Sequence, residues 1–302
     1  MCGIAGILYK RGQGAEAVGQ SLVSMLDGCQ HRGADSTGFA MYRPGDDVLH
    51  LRFIVDDGAP GDQAIDKIKA ILAEHGASLQ SDQRIGRSYR ANVTYKGNIQ
   101  TFTYALEDAA KLISAGYDLD IIKDEGTAHD VDGAYDIHHF TGTHGIGHVR
   151  LATESEVKPE AAHPFLATGF ADVAIVHNGQ ITNYWKMRRR MERRGFKFRT
   201  DNDSELIAVY LADKLKQGIG LEYALKDAID TLDGTFSFLV STKNEIGFAK
   251  DHLAAKPMVL VETDDLIAIA SEEVSLNRLF PGTALTTTEP APGTFKTWQR
   301  SI

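Results

Sequence analysis

The chain has 302 residues, 43% hydrophobic and 24% charged, with a net charge of −9 at neutral pH. That length buries a sizeable core in one large domain or two ordinary ones, with the composition of a soluble globular protein. The acidic balance argues against general nucleic-acid binding, and no apolar run reaches the ~18–20 residues that span a bilayer.

The first element is a strand over 2–9, Cys2-Gly3-Ile4-Ala5-Gly6-Ile7-Leu8-Tyr9. Its apolar stretch is brief, glycine-broken and without a basic lead, unlike a secretory signal, so the chain is expected in the cytoplasm. The two cysteines, Cys2 and Cys29, fit a reducing compartment, where a thiol serves chemistry or packing. Cys2 directly follows Met1; with the methionine removed, one residue carries both a thiol and a free α-amine. The thiolate is the attacking form of cysteine, and an α-amine with a pKa of about 7.7–8.0 is a base suited to generating it. Nucleophile and general base on one residue is the logic of N-terminal-nucleophile hydrolases. Taken alone, Cys2 reads first as a small buried residue starting a core strand.

Val18, Leu22, Met25 and Leu26 recur at helical spacing, predicting a helix over 16–27. The polar, glycine-bracketed run His31-Arg32-Gly33-Ala34-Asp35-Ser36-Thr37-Gly38 reads as a structured loop. Residues 39–42 and 48–55 read as a strand pair across the turn Pro44-Gly45-Asp46-Asp47. Within 56–140, Ile65, Ile68 and Leu72 suggest a helix, Tyr89, Ala91, Val93 and Tyr95 alternate as in a strand, and Leu106, Ala109, Ala110 and Ile113 have helical spacing. Without the Pro/Ser/Gly bias of a linker, this is a structured α/β segment. His138 and His139 are adjacent and would point apart on a strand, so they are read as non-metal. With no CxxC, metal-spaced cluster or GxGxxG, neither metal nor cofactor is expected.

A strand over 145–153 runs into a polar loop, with His163-Pro164-Phe165 beyond. A short buried strand, 173–176, ends in His177-Asn178-Gly179. Asn183 can cap a helix reaching about 194, and Asp203 or Ser204 one reaching 216; a third covers 221–232. Short strands follow at 235–241, 245–249, 257–262 and 266–271. This order excludes a simple doubly wound α/β sheet and favours an α+β architecture of sheets packed face to face with helices outside.

Amide hydrolysis by a thiol needs a nucleophile, a base, donors for the tetrahedral oxyanion and groups that fix the substrate. Asn178 and Gly179 offer a side-chain amide and a main-chain N–H that can converge on one oxygen. Arg150 can grip a carboxylate with two parallel hydrogen bonds, and Asp203 can pair an ammonium. Each has a structural alternative: a strand-edge charge for Arg150, a helix cap for Asp203, a turn for Asn178-Gly179.

Five blocks in order, Cys2-Gly3-Ile4-Ala5-Gly6-Ile7, 31–38, Gly147-His148-Val149-Arg150-Leu151-Ala152-Thr153, His177-Asn178-Gly179-Gln180-Ile181-Thr182-Asn183 and Asp203-Ser204-Glu205, closely resemble the class II glutamine amidotransferases. The resemblance covers the start and roughly 140–280. It implies a four-layer αββα sandwich of two mainly antiparallel sheets, one glutaminase domain over 1–302 with 56–140 inserted. It assigns Cys2 as nucleophile and Asn178 and Gly179 to the oxyanion hole. Arg150 and Asp203 bind L-glutamine, Thr153 and His163 lie near it, and His31 and Arg32 flank the nucleophile. Stand-alone chains of this size resemble amidotransferase subunits of glutamate-synthase-like systems, N-methylglutamate synthase among them, implying a separate synthase subunit that receives the ammonia. The 56–140 segment is left as a lid, a homo-oligomer contact or a synthase dock, and the basic run 186–194 as a solvated face or an anion or partner contact. Two rival functions remain: an N-terminal-nucleophile hydrolase of another amide, and a catalytically idle glutamine sensor.

Overall fold

The computed structural model describes residues 2–11, 15–151 and 158–300. In chain order, β1 (Gly3–Tyr9), α1 (Val18–Gly28) and β2 (Ser36–Tyr42) come first. Then follow β3 (Leu49–Ile54), α2 (Ala59–Glu74), β4 (Ser78–Ile85), β5 (Ser88–Thr94), α3 (Ile99–Leu106), β6 (Lys111–Gly116), β7 (Leu119–Glu125) and α4 (Ala128–Tyr135). The second half begins with β8 (His144–Arg150), β9 (Phe165–Leu166), β10 (Ala174–Ile181), α5 (Tyr184–Glu192), α6 (Asp203–Lys216) and α7 (Leu221–Thr231). It closes with β11 (Gly234–Ser241), β12 (Glu245–Lys250), β13 (Val259–Glu262), β14 (Leu266–Ala270), α8 (Glu273–Asn277) and β15 (Phe295–Gln299).

Among the described residues three antiparallel sheets result, ordered β13-β14-β1-β8-β2-β7, β15-β12-β11-β10-β9 and β4-β5-β3-β6. Side chains alternate across a strand, and β1 is buried on both faces, which is why it reads as one apolar run. Ile4 and Leu8 join a core with Ile146, Val176 and Leu239 between the first two sheets. Ala5 and Ile7 face outward, packing in a second core with Leu22 and Leu26 of α1, Val131 of α4 and Leu276 of α8. On the far side of the second sheet, Ile175, Phe236 and Phe238 pack with Leu206 and Leu225 from α6 and α7. The layers are helices, sheet, sheet, helices, as the α+β reading implied.

The expected strand pair does not form: β2 belongs to the first sheet and β3 to the third. The stretch 56–140 also divides. Its α2, β4, β5, α3 and β6 join β3 in the third sheet unit, whereas β7 pairs with β2. A buried bidentate pair, Arg52 Nε to Asp120 Oδ1 at 3.0 Å and Nη2 to Oδ2 at 2.9 Å, ties β3 to β7. The expected helix near 106–113 is the last turn of α3 followed by a strand, because Leu112, Ile113 and Ala115 are buried on both faces of β6. No helix among the described residues is long and apolar enough to cross a membrane.

Candidate active site

β1 lies between β8 and β14 in the first sheet, with Gly3 opposite Val149. Cys2 therefore emerges where β8 ends. Its Sγ lies 3.4 Å from the Leu151 main-chain N and 3.7 Å from the Leu151 carbonyl oxygen, and the residue is partly exposed. The Cys2 carbonyl accepts two hydrogen bonds, from Arg32 Nε at 2.9 Å and from Asn178 Nδ2 at 3.0 Å. The residue is thus held through its main-chain carbonyl as well as through the longer contacts of its sulfur.

Arg32 ends the short 3-10 turn Gln30–Arg32 and is itself buried. Its guanidinium pairs with Glu272, which also takes His31 Nε2 at 3.0 Å. A Cβ on Gly33 would lie 2.3 Å from the Arg150 carbonyl carbon and 2.5 Å from the Leu151 nitrogen, so only glycine lets this loop pack on the end of β8. Asp35 N–H then donates to the Arg150 carbonyl at 3.0 Å.

Asn178 and Gly179 come from the second sheet. Sequence reading placed them at a strand end, but β10 continues to Ile181. Gly179 has φ of 139° and pairs with Phe236; a Cβ there would lie 2.0 Å from the Thr235 carbonyl oxygen. Asn178 Nδ2 also reaches Ser271 Oγ at 3.4 Å, and its Oδ1 accepts from His148 Nε2 at 3.2 Å. Burial pushes the His148 ring down to about 3, outweighing its bond to Asn178, so the ring is neutral.

Behind Asn178 lies a buried polar group. His163 stacks on His148 with ring centroids 4.2 Å apart, and its Nε2 lies 2.7 Å from Ser204 Oγ. His177 Nδ1 lies 3.0 Å from the same oxygen and 3.5 Å from Asp203 Oδ1. Asp203 is the first residue of α6, where the helix dipole favours an anion. Ile181 N–H donates to its Oδ2 at 2.9 Å. Burial works against the Asp203 charge, but His177 and the Ile181 N–H hold its pKa below the usual carboxylate value. The cap of α6 is Asn202, whose side chain accepts from Ser204 N–H at 2.8 Å, which leaves the Asp203 carboxylate for other partners.

Among the described residues, a cleft of about 240 Å³ is lined by Cys2, Arg32, Leu151, Asn178, Gly179, Lys256 and Pro257. Four of the residues singled out from sequence meet there. Arg150 is buried at the end of β8, one residue from the Leu151 contact with Cys2. His31 is exposed on Glu272. His163 is in the interior and does not line the cleft. Thr153 lies outside the described residues. Sequence reading missed Lys256, Ser271, Glu272 and the ring of His148, although His148 stood inside a quoted block. Elsewhere, the turn Ile137–His139 brings Asp136, His138 and His139 within 4.8 Å of one another, where a strand would have splayed them.

A glutamine amidotransferase domain model matches residues 148–278. A putative glutamine amidotransferase of Methanothermobacter thermautotrophicus is 40% identical over 293 residues, covering 92% of this chain and 94% of that protein. The chain belongs to the glutamine amidotransferases. The glutamine amidotransferase-like protein GlxB of Rhizobium meliloti is 34% identical over 314 residues, covering 99% of this amidotransferase and 98% of the relative. The fold matches the glutamine phosphoribosylpyrophosphate amidotransferase of B. subtilis with a TM-score of 0.60 at 19% identity, over 99% of this chain. The amidotransferase spans about half of that solved chain, 49%.

Proposed function

We propose that this amidotransferase hydrolyses L-glutamine through a Cys2 thioester and passes the ammonia to a synthase on a separate polypeptide. The convergence of Cys2, Arg32, Asn178 and Gly179 on one cleft carries the reading. After removal of Met1, the α-amine of Cys2 accepts the thiol proton and the thiolate attacks the glutamine Cδ. Asn178 Nδ2 and the Gly179 main-chain N–H receive the oxyanion. The protonated amine gives its proton to the departing ammonia, and water cleaves the γ-glutamyl thioester to glutamate and free thiol. Arg150 binds the glutamine carboxylate and Asp203 its ammonium. Thr153, His31 and Arg32 border the substrate, while His163 acts from behind, through Ser204. A reducing, cytoplasmic setting suits this thiol.

Cys29 is no rival nucleophile: it is fully buried, and burial pushes its thiol up to about 11 against a partial offset from Ser275. What supports a separate acceptor is the length of the relatives. Relatives whose names state an acceptor reaction, an amidophosphoribosyltransferase and a glutamine–fructose-6-phosphate aminotransferase, are matched over only 37% and 26% of their length. The nearly full-length relatives are named only as amidotransferases. A glutamate-synthase-like or N-methylglutamate synthase partner is the specific reading.

The test is glutamine hydrolysis, with and without candidate synthases, in Cys2→Ala and Cys29→Ser variants, together with intact mass after exposure to a glutamine-analogue electrophile. Cys2→Ala is expected to lose activity and labelling while Cys29→Ser keeps both. Wild-type turnover in Cys2→Ala would sink the mechanism.

A further inference from the structure

The segment leading into Asp203 is gripped from two sides, and one side belongs to the third sheet unit. Tyr104 and Glu107, three apart on α3 and just past its end, meet Lys197 and Arg199, two apart in a non-regular segment. Lys197 N–H donates to Tyr104 Oη at 3.0 Å, and Arg199 Nη1 donates to Glu107 Oε1 at 3.3 Å. From the other side, the fully buried Glu205 of α6 accepts from Arg199 N at 2.9 Å, Thr200 N at 2.7 Å, Thr200 Oγ1 at 2.7 Å and Thr168 Oγ1 at 2.6 Å. Asp201, Asn202 and Asp203 follow directly.

The Arg199 guanidinium is only 4% exposed, and its Nε and Nη2 have no hydrogen-bond partner among the described residues. Glu107 is therefore the carboxylate that holds this buried cation from the third sheet unit. We infer that Glu107 is a positioning residue for glutamine binding: through Arg199 it fixes the segment 197–202 and with it Asp203, so that the third sheet unit sets the affinity of the substrate pocket. This rests on Asp203 as the partner of the glutamine ammonium.

Glu107 also makes the clamp sensitive to pH. Burial raises its carboxyl to about 7, with Glu205 adding and Arg199 and Lys111 opposing. The groups facing it are Arg199 from the segment, Glu205 from α6 and Lys111 from β6. Arg87, Asp56, Asp108 and Glu160 line the adjoining cavity. Below pH 7 the carboxyl protonates and the Arg199 pair weakens.

The experiment measures KM and kcat for glutamine hydrolysis from pH 6 to pH 8 in the full chain, for wild type, Glu107→Gln, Glu107→Asp, Tyr104→Phe and Asp203→Ala. For wild type, KM is expected to rise about fivefold from pH 8 to pH 6. Glu107→Gln should show the higher KM at every pH, with kcat within about twofold of wild type. Glu107→Asp should recover part of the pH 8 affinity, and Tyr104→Phe, the mildest change, should raise KM without a pH trend of its own. If Asp203→Ala raises KM and Glu107→Gln does not, the clamp is refuted and the role of Asp203 stands. If Asp203→Ala leaves KM unchanged, that role falls and the clamp with it.

Discussion

Replacing Asn178 by alanine separates what this residue does for the reaction from what it does for the fold. Its Nδ2 has two hydrogens, used at 3.0 Å by the Cys2 carbonyl and at 3.4 Å by Ser271 Oγ. The longer bond is the one an oxyanion can displace. Losing one such donor costs about 100- to 1,000-fold in kcat, about 2.7–4 kcal/mol. The same change strips the partner from His148 Nε2, a ring at 0% exposure, which costs about 1–3 kcal/mol of stability. Asn178→Asp keeps an acceptor for His148 but turns the donor into a carboxylate oxygen facing the Cys2 carbonyl, so it should lose the rate while sparing the His148 bond. The assay is steady-state glutamine hydrolysis beside a denaturant titration. Asn178→Ala with kcat within tenfold of wild type, or Asn178→Asp with full kcat, would refute the oxyanion role.

Two further predictions concern packing and acid. Gly33→Ala places a methyl 2.5 Å from the Leu151 nitrogen that faces Cys2 Sγ, and overpacking of this kind costs about 1–3 kcal/mol. Both melting temperature and kcat should fall; a variant with wild-type kinetics would show the loop yields freely. The second follows from burial of His144, pushed down to about 4, His148, to about 3, and His163, well below its ordinary value. The unfolded chain binds these three protons near pH 5 and the folded chain does not, so stability falls as pH drops below the ordinary histidine value. Glu107, raised to about 7, opposes them by one proton in the same window. A net uptake of roughly two protons gives a slope of about 3 kcal/mol per pH unit around pH 5–6. Denaturant titrations showing equal stability at pH 5 and pH 6.5 would contradict it.

Much of the site was legible because its parts sit on strands with unambiguous patterns. β1 is buried on both faces and reads as a continuous apolar run with Cys2 just before it; β8, His-Gly-Ile-Gly-His-Val-Arg, is buried throughout and ends in Arg150. The third sheet was harder for a physical reason. β4, Ser-Leu-Gln-Ser-Asp-Gln-Arg-Ile, is an exposed edge strand whose side chains show no buried alternation, so it gives no periodic signal. The apparent helix at 106–113 came from Leu106 of α3 and Ile113 of β6, which share a helical spacing across an element boundary. The turn reading of Asn178-Gly179 followed local propensity, whereas pairing with Ser237 and Phe236 keeps both residues in the sheet. Nothing in the spacing of His163 showed that its ring stacks on His148 rather than entering the cleft. Lys123 was equally silent, a buried amine whose Nζ donates to the carbonyls of Ala162 at 2.6 Å and Pro164 at 3.0 Å.

The position of β1 bears on how the chain is made. Its two edges pair with residues 144–149 and 266–270, so neither neighbour exists when it leaves the ribosome. At about 5–20 residues per second, the second edge stays unmatched for roughly ten to fifty seconds. The strand left waiting is Gly-Ile-Ala-Gly-Ile-Leu-Tyr, without charge or proline, the kind of segment that seeds intermolecular β-pairing. Premature termination before β14 would leave that edge open permanently, and such fragments should aggregate.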